Sequence, residues 1–219
     1  IGCRDGILDG QSRLHAPSAT AMQKPAGKVA CWKGSLAMVE RLPAYRPAAR
    51  WLHWIVGIAV LLMIPAGLIM TREGIARPLQ DALFLFHKNT GVLLISLILA
   101  RIIYRLVYKP PPLPTFVPQW QRRVAALSHF LLYVLLIVMP VSGYIRVRAG
   151  GFPIEMLDAA GIGSWIPKSE RLASIAQTVH ETAAYLLVAL LALHIGAALH
   201  HALIRRDGIW SRMWLFPRR

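Results

Sequence analysis

Residues 175–203 read IAQTVHETAAYLLVALLALHIGAALHHAL, and this stretch decides the fold. It carries four histidines, and His180 and His194 stand fourteen residues apart. On an α-helix that spacing is about 21 Å of rise and about 1,400° of rotation, which returns to within about 40° of the starting face. One face therefore presents an imidazole at each end of a membrane-length segment, with heavily apolar sequence between them. A polar ring in lipid is costly without a partner, so both histidines are candidate functional residues. The rest of the chain can be searched for their partners.

The chain has 219 residues, of which 56% are hydrophobic and only 16% charged, with a mean hydropathy of +0.48. The apolar residues cluster into four runs of spanning length, about 51–70, 86–106, 124–145 and 175–203. This predicts an all-α membrane protein, a bundle of four transmembrane helices, because backbone polar groups in lipid must be satisfied within each span. A net charge of +15 would suit nucleic acid, but its distribution points to the lipid bilayer instead. With four spans, both termini and the middle loop share one side, and 18 of the 25 Lys and Arg residues lie there. That asymmetry places both termini in the cytoplasm of a bacterial inner membrane.

Residues 1–44 show no sustained apolar period and no signal-peptide core. They read as a disordered tail or an over-extended translation, with a native start at Met22 or Met38, and the membrane domain as 45–219. Cys3 and Cys31 form no CxxC or CxxCH pattern and read as free thiols. The proline run 110–118 is a stiff connector. Residues 146–174 read as a long outer loop that lies on the membrane surface or caps the bundle.

Alternating span direction assigns depth. His53 in the first span and His194 in the fourth fall near the inner end; His87 in the second and His180 in the fourth fall near the outer end. Two level pairs result. A bis-imidazole pair inside a helix bundle suits a six-coordinate b-type haem, with neutral imidazole supplying each axial nitrogen. Zinc fits poorly, since no cysteine or carboxylate accompanies the widely separated pairs. Gly57 and Gly91 each follow a histidine at i+4, and a missing side chain there lets a flat macrocycle approach. Each histidine alone is equally a hydrogen-bonded packing residue, and each glycine a helix-packing position; the pairing by depth favours the haem reading.

Other residues leave alternatives open. Arg101 suits an inner haem propionate or a purely topological role. His129 has no level partner left and reads as structural or as part of a quinone site. His200 and His201 read as solvated residues, or as part of a quinone or proton path. Lys88, Arg146 and Arg148 near the outer pair would attract an anion or merely anchor the interface.

The motifs ARWLHW (His53), FHKNTG with LARIIYRL (His87, Arg101, Arg105), SHFLLYVLLIVMPVSGY (His129), VHETAAYLLVALLALH (His180, His194) and AALHHALIRRD (His200, His201) together resemble the prokaryotic cytochrome b561 family of dihaem four-helix membrane proteins. The resemblance covers about residues 45–219. It implies two haem b groups with His53, His87, His180 and His194 as axial ligands, and exchange with ubiquinone or menaquinone near the inner haem. It implies electron transfer between an outer-face donor and the quinone pool. Some members oxidise superoxide, which would make the chain a superoxide:quinone oxidoreductase. The alternatives are a haem-bearing anchor or electron-relay subunit of a multi-subunit dehydrogenase or hydrogenase, or a non-redox haem module.

Overall fold

The structure is a computed structural model and describes residues 42–216. The readings placed on the first 41 residues, including Cys3, Cys31 and the start at Met22 or Met38, lie outside the described residues. Four long helices carry the fold: α1 (Pro47–Met70), α2 (Arg77–Val107), α3 (Gln119–Ala149) and, after a short α4 (Glu155–Ala159), α5 (Glu170–Leu199). The last continues as a π-helical turn, His200–Arg205, and the tail closes with a 3₁₀ turn, Trp210–Arg212. Among the described residues there is no strand.

Prolines and caps set the boundaries. Pro47 opens α1, and Pro78 falls in the first turn of α2, where a missing N–H costs nothing. The Ser169 hydroxyl accepts from Leu172 N at 3.3 Å and caps α5. The expected spans lie inside these helices, which run further than the apolar runs alone. α2 and α3 have 31 residues each, about 46 Å of helix against roughly 30 Å of hydrocarbon. Their polar ends therefore stand in the headgroup layers. This shortens the outer loop: α3 persists to Ala149 and α5 begins at Glu170, so the connection is 150–169, not 146–174.

The four long helices have the length and apolar composition to span a membrane, the fourth counted through Arg205. Their outward faces expose large apolar side chains such as Leu61, Leu106, Phe130 and Leu193, which suits lipid as solvent. α1 packs along α2, α2 against α3, and α3 along α5. α5 does not pack along α1 or α2 in this way. The core is a single apolar layer at mid-height, formed by Val56 and Val60, Leu94 and Ile98, Leu132, and Leu187. Every long helix contributes to it.

The two ends of the bundle close differently. At one, here the tail end, Arg206 takes a left-handed conformation (φ 51°) and Gly208 follows at φ 80°. The chain turns back there toward the start of α1. Arg212, only 2% exposed, donates to the carbonyls of Pro43, Pro111 and Pro112 at 3.0, 2.8 and 2.8 Å. Arg50 donates to Trp214 O at 3.0 Å, and Trp54 Nε1 to Met213 O at 2.9 Å. At the other, the loop end, Ile154 is 1% exposed and α4 caps the bundle. Asn89 donates to Glu155 at 3.2 Å and accepts from Met156 N at 2.9 Å.

Arg212 is thus the single side chain joining the tail, the start of the membrane domain and the proline connector. Arg212→Ala leaves three carbonyls without their charged donor, and is expected to cost about 3 kcal/mol. Thermal unfolding in detergent should show the loss, and limited proteolysis should cut the tail after Leu203 far faster than in the parent. An unchanged cleavage pattern would refute this anchoring role.

Candidate functional site

Histidines gather at both ends of the bundle, inside it. At the tail end, His53 on α1 faces His194 on α5, with ring centroids 6.2 Å apart and planes at 79°. At the loop end, His87 on α2 faces His180 on α5, again at 6.2 Å, with planes at 73°. These are the two level pairs that depth alone predicted. Each pair bridges α5 to a helix along which it does not pack. Leu187 lies seven residues from both His180 and His194, so the apolar layer at mid-height separates the pairs.

The environment of His180 identifies its tautomer. Its Nδ1 lies 2.9 Å from Met139 O and 3.2 Å from Ser142 Oγ. A carbonyl can only accept, so Nδ1 carries the proton and Nε2 keeps its lone pair. His87 keeps a buried Nδ1 without a hydrogen-bond partner among the described residues, an unspent group of the kind native interiors avoid unless it has another use.

Two glycines hold these rings, and neither is the i+4 glycine that the sequence pattern singled out. A Cβ on Gly67 would lie 3.0 Å from His87 Cε1, and one on Gly143 would lie 3.1 Å from His180 Cε1. A side chain at either position would push its ring back by a few tenths of an ångström. Gly57 has nothing within 4 Å of its missing side chain, and Gly91 only Met63 Cε at 3.7 Å. Gly57 leaves open space one turn from His53, as a flat group would need, whereas Gly91 meets Met63. Gly67 went unrecognised because it contacts His87 across two helices, with no shared spacing to betray it.

His129 differs from its sequence reading. It was left without a level partner, yet its ring centroid lies 5.4 Å from that of His194. The tail end therefore holds three imidazoles, His53, His129 and His194. Arg101, half-buried, donates to Ala49 O at 3.3 Å and lies 5.8 Å from the Tyr133 ring, with Arg105 5.6 Å from the same ring. His200 is exposed, and His201 is held one turn beyond the cluster, its Nδ1 2.6 Å from Asp207 Oδ2. Asp207 Oδ1 accepts from Ile209 N at 3.2 Å, so this contact also fixes the start of the tail.

The cluster of cations read as an anion attractor is largely neutralised. Lys88 pairs with Glu155 at 2.6 Å and also donates to Pro153 O at 2.9 Å. Arg148 pairs with Asp158 at 2.6 Å. Among the described residues Arg146 alone of the three makes no ion pair. The Arg148 hydrogen bond holds the Asp158 carboxyl below its usual range. Burial works to raise the pKa of Glu155, but the hydrogen bonds and charge of Lys88, with Asn89, bring it below normal.

The model of the family described as prokaryotic cytochrome b561 matches residues 44–215. The chain is 30% identical to "Cytochrome b561 homolog 2" of Escherichia coli K12 over 74% of this chain and 86% of that protein. It is 29% identical to "Cytochrome b561 homolog 1" of the same organism, over 61% and 74%. It is 28% identical to "Probable superoxide oxidase CybB" of Yersinia pestis, over 74% and 90%.

Both carboxyl pKa values at the loop end are lowered by folding. Their stabilising effect is therefore complete above the unfolded carboxylate value of about 4 and is lost as pH falls through the lower, folded values. Amide hydrogen exchange across residues 150–169 should show constant protection from neutral pH down to about 5, after correction for intrinsic rates, and a loss below about 4. Glu155→Gln should abolish part of that acid step. A protection profile without an acid step would show that these pairs do not hold the cap.

Proposed function

The chain belongs to the prokaryotic cytochrome b561 family, and on that premise we propose that it is a dihaem b-type cytochrome of a bacterial inner membrane, transferring electrons between an outer-face donor, superoxide, and the quinone pool. The carrying observation is the equal 6.2 Å separation of the two imidazole pairs. A metal sits about 2 Å from an imidazole nitrogen, and the ring centroid lies about 1 Å behind that nitrogen, so two imidazoles on opposite sides of one metal have centroids about 6 Å apart. The donor chemistry agrees. His180 presents an unprotonated Nε2, and its Nδ1–H···O=C bond is the usual way a ligating imidazole is oriented.

In this reading His53 and His194 hold one haem b and His87 and His180 the other. When bound, haem supplies reversible one-electron chemistry. The chain does the rest. Gly67 and Gly143 seat the loop-end rings, Ser142 and Met139 fix the His180 tautomer, and the apolar layer around Leu187 excludes water between the two sites. Arg101 places a guanidinium near the tail-end cluster, suited to a propionate. The positive-inside bias puts the tail end in the cytoplasm. Quinone would exchange there, near His129, with His201 as a proton donor: Asp207 holds its Nδ1, and Nε2 is left to exchange. Arg146, free of an ion pair among the described residues, is one of the cations at the outer end that would attract an anionic donor. The stoichiometry is simple. Two superoxide anions each lose one electron and leave as dioxygen, while one quinone takes both electrons and two protons.

A second reading keeps the haems but makes the chain an electron-relay subunit. It is favoured by the apolar loop-end surface, where Phe152 and Ile162 are exposed and Trp165 is 88% exposed, as a docking partner would require.

Two measurements test the proposal. A dithionite-reduced minus oxidised spectrum with pyridine-haemochrome quantification should give two haems b per chain in the parent. His87→Ala and His194→Ala should each lose one haem and keep the other. A single haem in the parent would mean that one pair is misassigned, and none in folded, haem-supplied protein would reject the proposal. Superoxide generated in the presence of the purified, oxidised protein should then reduce it, and added quinone should reoxidise it. Reduction no faster than the dismutation background would leave the relay reading. Failure of quinone to reoxidise it would leave a non-redox haem module.

A further inference from the structure

At the tail end, a cavity of about 220 Å³ with no histidine in its lining opens between the start of α1 and the end of α2. Its walls include Tyr45, Arg46, Tyr104, Tyr108, Lys109 and Pro111. Electron transfer as proposed above uses none of these residues. We propose that this cavity binds the phosphate group of an anionic membrane lipid.

Charge comes first. Arg46 and Lys109 both line the cavity, no carboxylate does, and neither cation makes an ion pair among the described residues. The Arg46 guanidinium lies over the Tyr108 ring, 4.3 Å from its centroid. A cation–π contact takes up none of the guanidinium's N–H donors, which phosphate oxygens can accept from. Three tyrosines line the cavity as well, a residue type whose hydroxyl can donate. A neutral quinone ring would need no pair of cations, and among the described residues no acid lines the cavity to suit a cationic ligand.

The cavity is also built rather than incidental. The Tyr104 and Tyr108 rings lie one helical turn apart with centroids 4.6 Å from each other. The wall opposite is held from behind: Arg212 binds the Pro111 carbonyl at 2.8 Å, and its own carbonyl accepts from Tyr45 N at 3.1 Å. Two hydrogen bonds to one buried arginine thus fix both the connector and the chain entering α1.

Size and position select the lipid source. The volume falls below the roughly 300–1,000 Å³ of sites that enclose drug-sized ligands. A headgroup fits with its acyl chains left outside. Those chains have a surface to lie on, since Ile103, Leu106 and Val107 of α2 are 60%, 75% and 64% exposed beside the cavity. The cavity sits where two spanning helices end, at the level of phosphates in a bilayer, and basic pockets between helix ends are suited to anionic headgroups.

Native mass spectrometry of the full chain, delipidated in detergent and then given mixed micelles, tests this. With phosphatidylglycerol the parent should retain one lipid more tightly than it retains phosphatidylcholine. The double variant Arg46→Gln, Lys109→Gln should bind phosphatidylglycerol about thirty-fold more weakly, for the loss of two cations near a lipid surface. Arg46→Lys, Lys109→Arg should restore it, and Arg77→Gln at the opposite end should leave it unchanged. Equal melting temperatures in lipid-free detergent establish that the double variant is folded. Should it not fold, Lys109→Gln alone carries the same comparison. Undiminished phosphatidylglycerol binding by the folded variant would overturn the proposal. Displacement of the lipid by millimolar inorganic phosphate would overturn the lipid and assign the site to free phosphate.

Discussion

The distance between α5 and its neighbours is the constraint on which the rest of the bundle depends. α5 packs along α3 but stands off from α1 and α2, and across those two gaps it meets His53 and His87 at the same centroid separation of 6.2 Å. A bundle closed by direct contact on all sides would bring these rings together or force them apart. Here the apolar layer from Val56 to Leu187 closes the bundle only at mid-height, which leaves an opening above and another below. The two histidine pairs occupy those openings. Interior packing in lipid has little hydrophobic drive of its own, so a bundle with such gaps is stabilised by what fills them and by how its ends are tied.

The ends are tied by different chemistry. At the tail end the ties are neutral carbonyls gathered by cations: Arg212 takes three of them and Arg50 one, and Trp54 adds an indole donor. These bonds hold regardless of carboxylate protonation. At the loop end the ties are ion pairs, Lys88 with Glu155 and Arg148 with Asp158, and they rest on carboxylates whose pKa values folding has lowered. Acid would therefore break the main ties of the loop end, whereas at the tail end it reaches only the Asp207 contacts with His201 and Arg205. The same tail-end network that anchors the C-terminal segment also shapes the basic cavity beside Tyr108, because Arg212 holds its proline wall.

Much of the fold was legible in the order of residues. Four apolar runs, their alternating direction and the fourteen-residue interval between His180 and His194 are local or periodic features, and lipid allows few other ways to satisfy such a chain. They predicted the helices and the two level pairs. What the pattern missed were other contacts between helices at unrelated spacing. His129 was assigned no partner, but it lies 5.4 Å from His194. The glycines that matter for ring contact are Gly67 and Gly143, while the regular His-x-x-x-Gly glycines face open space or Met63. Lys88 and Arg148 looked like free cations because the acids that neutralise them arrive on α4, a five-residue helix with too few residues to show a period.

The sequence by itself determined that this is a four-span membrane protein with imidazoles at two depths, because hydropathy and helical periodicity act within one segment at a time. Only the tertiary structure decided which rings meet, which glycines seat them, which charges are cancelled and where a basic cavity opens. Those outcomes depend on the rotation and spacing of one helix against another, and no single segment carries that information. The tautomer of His180 is the clearest case: it is set by Met139 O and Ser142 Oγ, thirty-eight or more residues away along the chain and in hydrogen-bond contact across the α3–α5 interface.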